Sequence, residues 1–167
     1  HNPLLIRNTH EVHLRSPEFH RAAFAFREDR LLSSLAQRLR GHIKAGKTAY
    51  EAALICQTHL ISLGEAYIER LVLSAAHQRL AQAPAELRPI LENIMALYAL
   101  STIEQHKGWY LEQDYLAGSK SKAIRRSIDG LCADLRPEAV ALVRLVPLAP
   151  FSIVNMVAGN LSIRYGI

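Results

Sequence analysis

The sequence contains only two cysteines, Cys56 and Cys132, among its 167 residues. Both lie inside apolar helical patterns and far apart in the chain, so we expect two buried, reduced thiols rather than a disulfide. His10 and His13 flank Glu11, but no His-Glu-x-x-His or paired-cysteine spacing occurs. The sequence therefore predicts no metal site.

The motifs of several enzyme classes are also missing. There is no Gly-x-Ser-x-Gly nucleophile elbow, no glycine-rich phosphate loop and no dinucleotide-binding fingerprint. Glu104 and Glu112 lie on one predicted helix, and we interpret them as solvated surface carboxylates rather than an acid–base pair. We therefore assign no catalytic, cofactor-binding or metal-binding residue to this chain.

Charge of one sign is only slightly in excess, with a net charge of +5. Basic residues alternate with acidic ones, so no basic stripe typical of a nucleic-acid partner is present. One cluster begins a predicted helix and consists of Lys120, Lys122, Arg125 and Arg126. A solvated basic face is the favoured interpretation, and contact with an acidic surface or a phosphate is the alternative.

Alternation with a period of two residues is absent before residue 140, which argues against a sheet. Helical periodicity dominates instead. Ser16 as N-cap and Pro17 at the first helical position predict a helix over residues 17–44, closed by Gly46. A capping box from Thr48 to Glu51 predicts a second helix that runs to about Leu80.

A third helix is predicted from Ala85 or Glu86 to Leu116, ended by Gly118, and a fourth runs from a cap at Ser119 to Leu135. Pro137 then begins a short fifth helix. The predicted fold is all-α, an antiparallel bundle of four long helices with a short fifth helix and an apolar C-terminal tail. The apolar stripe of the second helix is expected to face the core and comprises Ala53, Leu54, Leu60, Ile61, Gly64, Tyr67, Ile68, Leu71, Val72 and Ala75.

Residues 3–143 resemble the C-terminal helical domain of acyl-CoA oxidases, which are flavoenzymes related to acyl-CoA dehydrogenases. The most specific block begins at Leu97, and we expect its Trp109 to be a buried aromatic anchor. The segments that carry the resemblance are Asn8-Thr9, Pro17-Glu18-Phe19, Arg27-Glu28, Gln57-Thr58-His59-Leu60, Gly108-Trp109-Tyr110-Leu111-Glu112, Lys122-Ala123-Ile124-Arg125-Arg126 and Leu135-Arg136-Pro137-Glu138-Ala139-Val140.

The resemblance implies a packing and dimerisation role in an FAD enzyme that catalyses α,β-dehydrogenation of acyl-CoA in fatty-acid β-oxidation. In that family the catalytic glutamate and the flavin-binding segment lie upstream, and neither motif is matched here. The implied partners are an upstream flavin-binding core, a second subunit and, in the full-length enzyme, acyl-CoA. No FAD is expected on this chain alone. The implied location is the cytoplasm of a bacterium, or the peroxisome if the source is eukaryotic.

The end of the chain departs from the family pattern, so we divide the sequence into a domain of residues 1–143 and an apolar tail of residues 144–167. The tail resembles a re-entrant motif of DedA/TVP38-type membrane proteins. Residues 145–163 contain no Lys, Arg, Asp or Glu, and the segment is long enough to enter a bilayer. An apolar arm that packs on protein is the favoured alternative. A non-enzymatic interaction module whose tail binds a partner or membrane is therefore the alternative function.

Overall fold

The structure is a computed structural model that describes residues 6–139, and within that range it contains helices and turns but no strand. The all-α prediction is confirmed. The helices with named bounds are α1 (Glu11–Leu14), α2 (Pro17–Lys44), α3 (Ala49–Ile55), α4 (Gln57–Leu80), α5 (Arg88–Gln105), α6 (Lys107–Glu112) and α7 (Gly118–Leu135), followed by a 3₁₀ turn at Arg136–Glu138.

Helix α2 has the predicted bounds because both of its ends are specified locally. The Ser16 hydroxyl oxygen accepts a hydrogen bond from the Phe19 amide at 3.2 Å, and Pro17 occupies the first turn. Beyond the last turn Gly46 has a φ of +87°, a left-handed conformation that suits glycine. The short helix α1, which precedes this cap, was not predicted because four residues are too few to show a period.

The predicted second helix is two helices. The capping box is present, since Glu51 Oε2 accepts from the Thr48 amide at 2.8 Å and Thr48 Oγ1 accepts from the Glu51 amide at 3.2 Å. The helix is interrupted at Cys56, with φ −93° and ψ 10°. Cys56 keeps both of its own backbone hydrogen bonds, because its amide donates to the Ala52 carbonyl and its carbonyl accepts from the Leu60 amide. No proline or glycine signals it in the sequence.

The predicted third helix is also interrupted, and its bounds were too generous. It begins at Arg88, pauses at His106 and ends at Glu112. Asp114 then adopts a left-handed φ of 52°, so the chain leaves the helix before it reaches Gly118. Gly118 begins α7 rather than ending the preceding helix. Ser119 consequently lies inside α7 and is not its cap.

The long helices pack in the antiparallel manner that was predicted. Arg27 and Glu28 of α2 pair with Glu69 and Arg70 of α4, and Ser34 Oγ is 3.0 Å from His59 Nε2, so one helix ascends as the other descends. Tyr98 of α5 hydrogen-bonds the Glu69 carbonyl. One core cluster joins α1, α2, the end of α4 and α5 to α7, with the buried members Leu14, Phe19, Ala23, Phe24, Leu73, Ala96, Ala99, Leu100, Ile103, Tyr110, Leu116, Ala123, Ile124 and Leu131.

Two predictions of burial were wrong in detail. Trp109 is only partly buried, and its neighbour Tyr110 is the buried aromatic anchor, whose hydroxyl donates to the Ala23 carbonyl at 3.0 Å. Both cysteines are free thiols as expected, but only Cys56 is buried and Cys132 is exposed. The location of a residue within an apolar helical segment therefore did not predict whether its side chain faces the core.

The chain divides into two units, residues 1–134 and residues 135–167. Within the second unit the structure describes the 3₁₀ turn, where a short fifth helix was predicted after Pro137. The predicted domain boundary at residues 143 and 144, the apolar tail and its membrane-motif resemblance lie outside the described residues. Among the helices of residues 6–139, none has the length and apolar character to cross a membrane.

Candidate functional site

The most prominent surface feature is an exposed apolar face on α3 and α4. Nine large apolar side chains of these helices keep between 39% and 73% of their surface exposed, and they are Tyr50, Leu54, Ile55, Leu60, Ile61, Tyr67, Ile68, Leu71 and Val72. Most belong to the stripe that was expected to face the core. We call this surface the α3–α4 face. Contiguous exposed apolar surface of this kind is typical of a protein–protein contact.

The buried side of these helices is smaller and more polar than the exposed side. It presents Ala52, Cys56, Ala66 and Leu73 to the interior. It also carries Glu69, whose carboxylate pairs with the buried Arg27 guanidinium of α2. The small side chains allow α2 and α4 to pack closely, and the charged pair fixes which side of α4 faces α2. Hydrophobicity alone therefore gave the wrong orientation for this helix.

Glu69 lies at the centre of a partly buried polar network. Its Oε1 is 3.1 Å from His106 Nε2, at the point where α5 and α6 are interrupted, and its Oε2 pairs with Arg27. Burial acts to raise the pKa of Glu69, but the hydrogen bond from His106 and the charge of Arg27 outweigh it and leave that pKa lowered. The ionised carboxylate therefore links α4 to α2 and to the junction of α5 and α6.

The predicted basic cluster at the start of α7 does not form one solvated surface. Lys120 is buried, with its Nζ 3.0 Å from His13 Nε2 and 3.9 Å from the centre of the Phe19 ring. Burial lowers the pKa of Lys120 to about 8. Lys122, Arg125 and Arg126 are exposed, as the solvated-face interpretation predicts. The interpretation is wrong only for Lys120, which contributes to packing between α1, α2 and α7.

Glu104 was also predicted to be a solvated carboxylate, and it is not. Its side chain is largely buried and pairs with Lys107 at 2.5 Å, and Arg125 Nη1 is 3.9 Å away. Its Oε2 is buried without a hydrogen-bond partner. Glu112 is exposed, in agreement with the prediction. The two carboxylates therefore have different surroundings.

Several of the described histidines make hydrogen bonds to the backbone or to neighbouring side chains. His59 Nε2 is 3.0 Å from the Leu31 carbonyl, and His77 Nδ1 is 2.9 Å from the Leu73 carbonyl. His20, which was not singled out from the sequence, is the most deeply buried histidine among those described, with its Nε2 2.7 Å from the Leu14 carbonyl. Over residues 6–139 no group of three potential metal ligands comes together.

The cavities bounded by the described residues do not suit a flavin. One, of about 710 Å³, is lined by residues 6–10 and by Asp114, Leu116 and Ala117. Its lining is both polar and apolar, and it contains neither a glycine-rich loop for phosphates nor a Phe, Tyr or Trp ring for stacking on an isoalloxazine. A second, of about 210 Å³, lies beside His20 and His77 and is too small for a dinucleotide. Neither of these two cavities therefore fits FAD.

Comparison with known proteins identifies a family for this arrangement of helices. A model of the acyl-CoA oxidase family matches residues 16–144. Acyl-coenzyme A oxidase 2, peroxisomal, of Arabidopsis thaliana is 35% identical over 143 residues, which are 85% of this chain and 20% of that protein. Peroxisomal acyl-coenzyme A oxidase 3 of Homo sapiens is 30% identical over 70% of this chain and 17% of its own length.

The fold is also similar to a solved structure. Acyl-CoA oxidase 1 from Yarrowia lipolytica matches with a TM-score of 0.77 and 22% identity, over 83% of this chain and 20% of that one. The chain thus spans about a fifth of the length of each of these three relatives. The comparisons give no support for the membrane-protein resemblance of the tail or for the alternative function built on it.

Proposed function

This chain belongs to the acyl-CoA oxidase family as a C-terminal helical domain, and we propose that its role there is packing and subunit assembly rather than chemistry. The observation that carries the proposal is the α3–α4 face. A domain that exposes nine large apolar side chains on two successive helices is built to be covered by another protein surface. The family match over residues 16–144 supports an acyl-CoA oxidase as the enzyme whose other parts cover this face.

The division of labour follows from the chemistry of the described side chains. Acyl-CoA oxidases depend on FAD and remove two hydrogens from an acyl-CoA, which needs a flavin site and a base at the acyl α-carbon. Two of the carboxylates described above are engaged in ion pairs, since Glu69 binds Arg27 and Glu104 binds Lys107. We therefore place FAD, acyl-CoA and the base on a flavin-binding core that this domain packs against.

The cellular setting is part of the same proposal. Both curated relatives described above are named as peroxisomal enzymes. We place the enzyme in the peroxisome if the source is eukaryotic, and in the cytoplasm if it is bacterial. A role in fatty-acid β-oxidation follows from the reaction of the family.

The test is the behaviour of the purified 167-residue chain. We expect no stoichiometric flavin by absorbance and no oxidation of acyl-CoA, with or without added FAD. A flavin-binding core from the Arabidopsis relative, supplied as a separate polypeptide, should bind the chain. Stoichiometric flavin on the chain together with turnover of acyl-CoA would overturn the proposal, because the chemistry would then reside in these helices.

A further inference from the structure

We propose that the cleft between α1 and α7 is a binding site for a phosphate group. The cleft has a volume of about 190 Å³ and is lined by Thr9, Glu11, Leu14, Ala123, Arg126 and Ser127. We call it the α1–α7 cleft. The proposal goes beyond the packing role described above and does not depend on it. Three observations carry it: a buried hydroxyl group without a partner, an exposed arginine outside the ion pairs formed within residues 6–139, and an excess of positive charge on α7.

The buried hydroxyl group belongs to Ser127. This residue is only 5% exposed, and within the described part of the chain its Oγ atom has no hydrogen-bond partner. A buried hydroxyl without a partner is unfavourable, so such groups in proteins are normally bonded to protein, water or a ligand. Ala123 lies one turn earlier on the same side of α7 and lines the same cleft. The Ser127 hydroxyl is therefore placed to bond to a group that enters the cleft.

A guanidinium group and a second hydroxyl group line the cleft beside Ser127. Arg126 is exposed, and none of the ion pairs formed within residues 6–139 includes it. Thr9, from the segment before α1, contributes the second hydroxyl. Leu14 and Ala123 form the apolar part of the lining. Three hydrogen-bond donors from two separate parts of the chain thus surround one space.

The charge around the cleft favours an anion. Residues 118–126 of α7 contain four cationic residues and no acidic one. The lining itself includes one carboxylate, Glu11, but its Oε1 is 2.7 Å from Arg15 Nη2, and this pair neutralises it. An anion in the cleft is therefore attracted by Arg126 and by the neighbouring Lys122 and Arg125.

The number of donors favours phosphate over a carboxylate. A guanidinium group donates two parallel hydrogen bonds to two oxygens of one anion, and each hydroxyl adds one more bond. A tetrahedral phosphate has an oxygen for each direction from which these donors approach, whereas a carboxylate has only two oxygens in one plane. Because Thr9 and Arg126 are exposed, both inorganic phosphate and the phosphate of an ester can reach the cleft.

The first test is a titration of the isotope-labelled chain with inorganic phosphate at constant ionic strength, followed through its amide resonances. Saturable shifts should be largest for Thr9, Arg126 and Ser127. Acetate should bind about tenfold more weakly, because it leaves donors of the cleft without an acceptor. Shifts that do not saturate, or acetate that binds as tightly as phosphate, overturn the proposal.

A second titration with glycerol phosphate determines the source of the phosphate group. Competition with inorganic phosphate assigns the cleft to phosphate esters, and exclusion of the ester assigns it to the free anion. Both results agree with a phosphate site.

A pair of matched variants tests the charged contact. Arg126→Gln should weaken phosphate binding by about tenfold or more, because a charge-assisted hydrogen bond is lost. Arg125→Gln is the control, since it removes the same charge from the preceding residue of α7, which does not line the cleft. Its effect should stay below about twofold in moderate salt. Equal weakening by the two substitutions means general electrostatic attraction rather than a site, and overturns the proposal.

Ser127→Ala tests the hydroxyl through two measurements. Without phosphate, this variant should unfold at the same Tm as the chain without substitutions or at a higher one, because the hydroxyl makes no bond within the described residues. With phosphate, its affinity should be about fivefold weaker, and the rise of its Tm should be correspondingly smaller. A lower Tm without phosphate together with unchanged phosphate affinity would show that the hydroxyl serves the fold, and would overturn the proposal.

Discussion

The two ends of the α2–α4 helix pair are built differently. At one end, Phe19, Ala23 and Phe24 of α2 and Leu73 of α4 enter a core that is shared with α1, α5, α6 and α7. At the other end, residues 25–72 contribute no fully buried member to that core cluster. The buried side chains there are Leu31 and Leu35 of α2 and the small residues Ala52, Cys56 and Ala66, together with the ion pairs that join α2 to α4. The first end is stabilised by the chain itself. The second end exposes its large apolar side chains to solvent. In this domain an apolar residue is therefore not necessarily a core residue.

Core truncation should show the largest difference between the two ends. Leu100 is 0% exposed in the shared core. Leu100→Ala should lower the free energy of unfolding by about 2–5 kcal/mol, because it removes buried methyl groups and leaves a cavity. Urea denaturation followed by circular dichroism measures this. A loss below about 1 kcal/mol would mean that the shared core is looser than its burial indicates.

Titration of His20 should give the next largest effect, and only at the packed end. Burial lowers the pKa of His20 from 6.5 to about 4, against the opposing effect of its hydrogen bond to Leu14, so the fold favours the neutral ring. The resulting stability is fully present above pH 6.5 and is lost as the pH falls toward 4, by on the order of 3 kcal/mol. His20→Gln should flatten this part of the curve of unfolding free energy against pH. Leu100→Ala, the control, should lower the whole curve and keep its slope.

Loss of the capping box should have a smaller effect, at the other end of the helix pair. Thr48→Ala removes the hydroxyl that accepts from the Glu51 amide and should cost about 1 kcal/mol. Thr48→Ser retains an acceptor and should recover most of that loss. Hydrogen exchange should show faster opening in residues 49–55 than in α5. Equal acceleration in both helices would show that the two ends unfold as one unit.

Truncation on the α3–α4 face should have the smallest effect on the isolated chain. Ile68 is 55% exposed, so Ile68→Ala should change the free energy of unfolding by less than about 0.5 kcal/mol when measured at dilutions that keep the chain monomeric. When another protein surface covers the face, the same variant should be clearly less stable than the chain without the substitution. A large loss at high dilution would place Ile68 in the domain's own core.

The sequence was informative wherever a local rule decides the structure. Ser16, Pro17, the box at Thr48 and Gly46 act through the few residues around them, so they marked the bounds of α2 and the start of α3 correctly. The side of α4 that faces inward was not predictable in this way. It depends on Arg27, which is 42 residues away from Glu69 in the chain, and on small residues whose packing partner is another helix. The interruptions at Cys56 and His106 also have no signal in the residues around them. Because the inward side of α4 could not be predicted from nearby residues, the α3–α4 face was predicted to be core.

Cys56 gives the molecule an internal reporter of how often its less packed end opens. Its thiol is 1% exposed at the interruption between α3 and α4, whereas the Cys132 thiol is exposed on α7. A thiol reagent such as dithionitrobenzoate should modify Cys132 at once and Cys56 only in molecules whose helix pair has transiently separated. The rate of the slow phase of colour development therefore reports the fraction of molecules in which the helix pair is separated, and it does so in a chain without substitutions. A protein that covers the α3–α4 face should slow the modification of Cys56. One spectrophotometric measurement therefore reports both local opening of the helix pair and occupancy of the face.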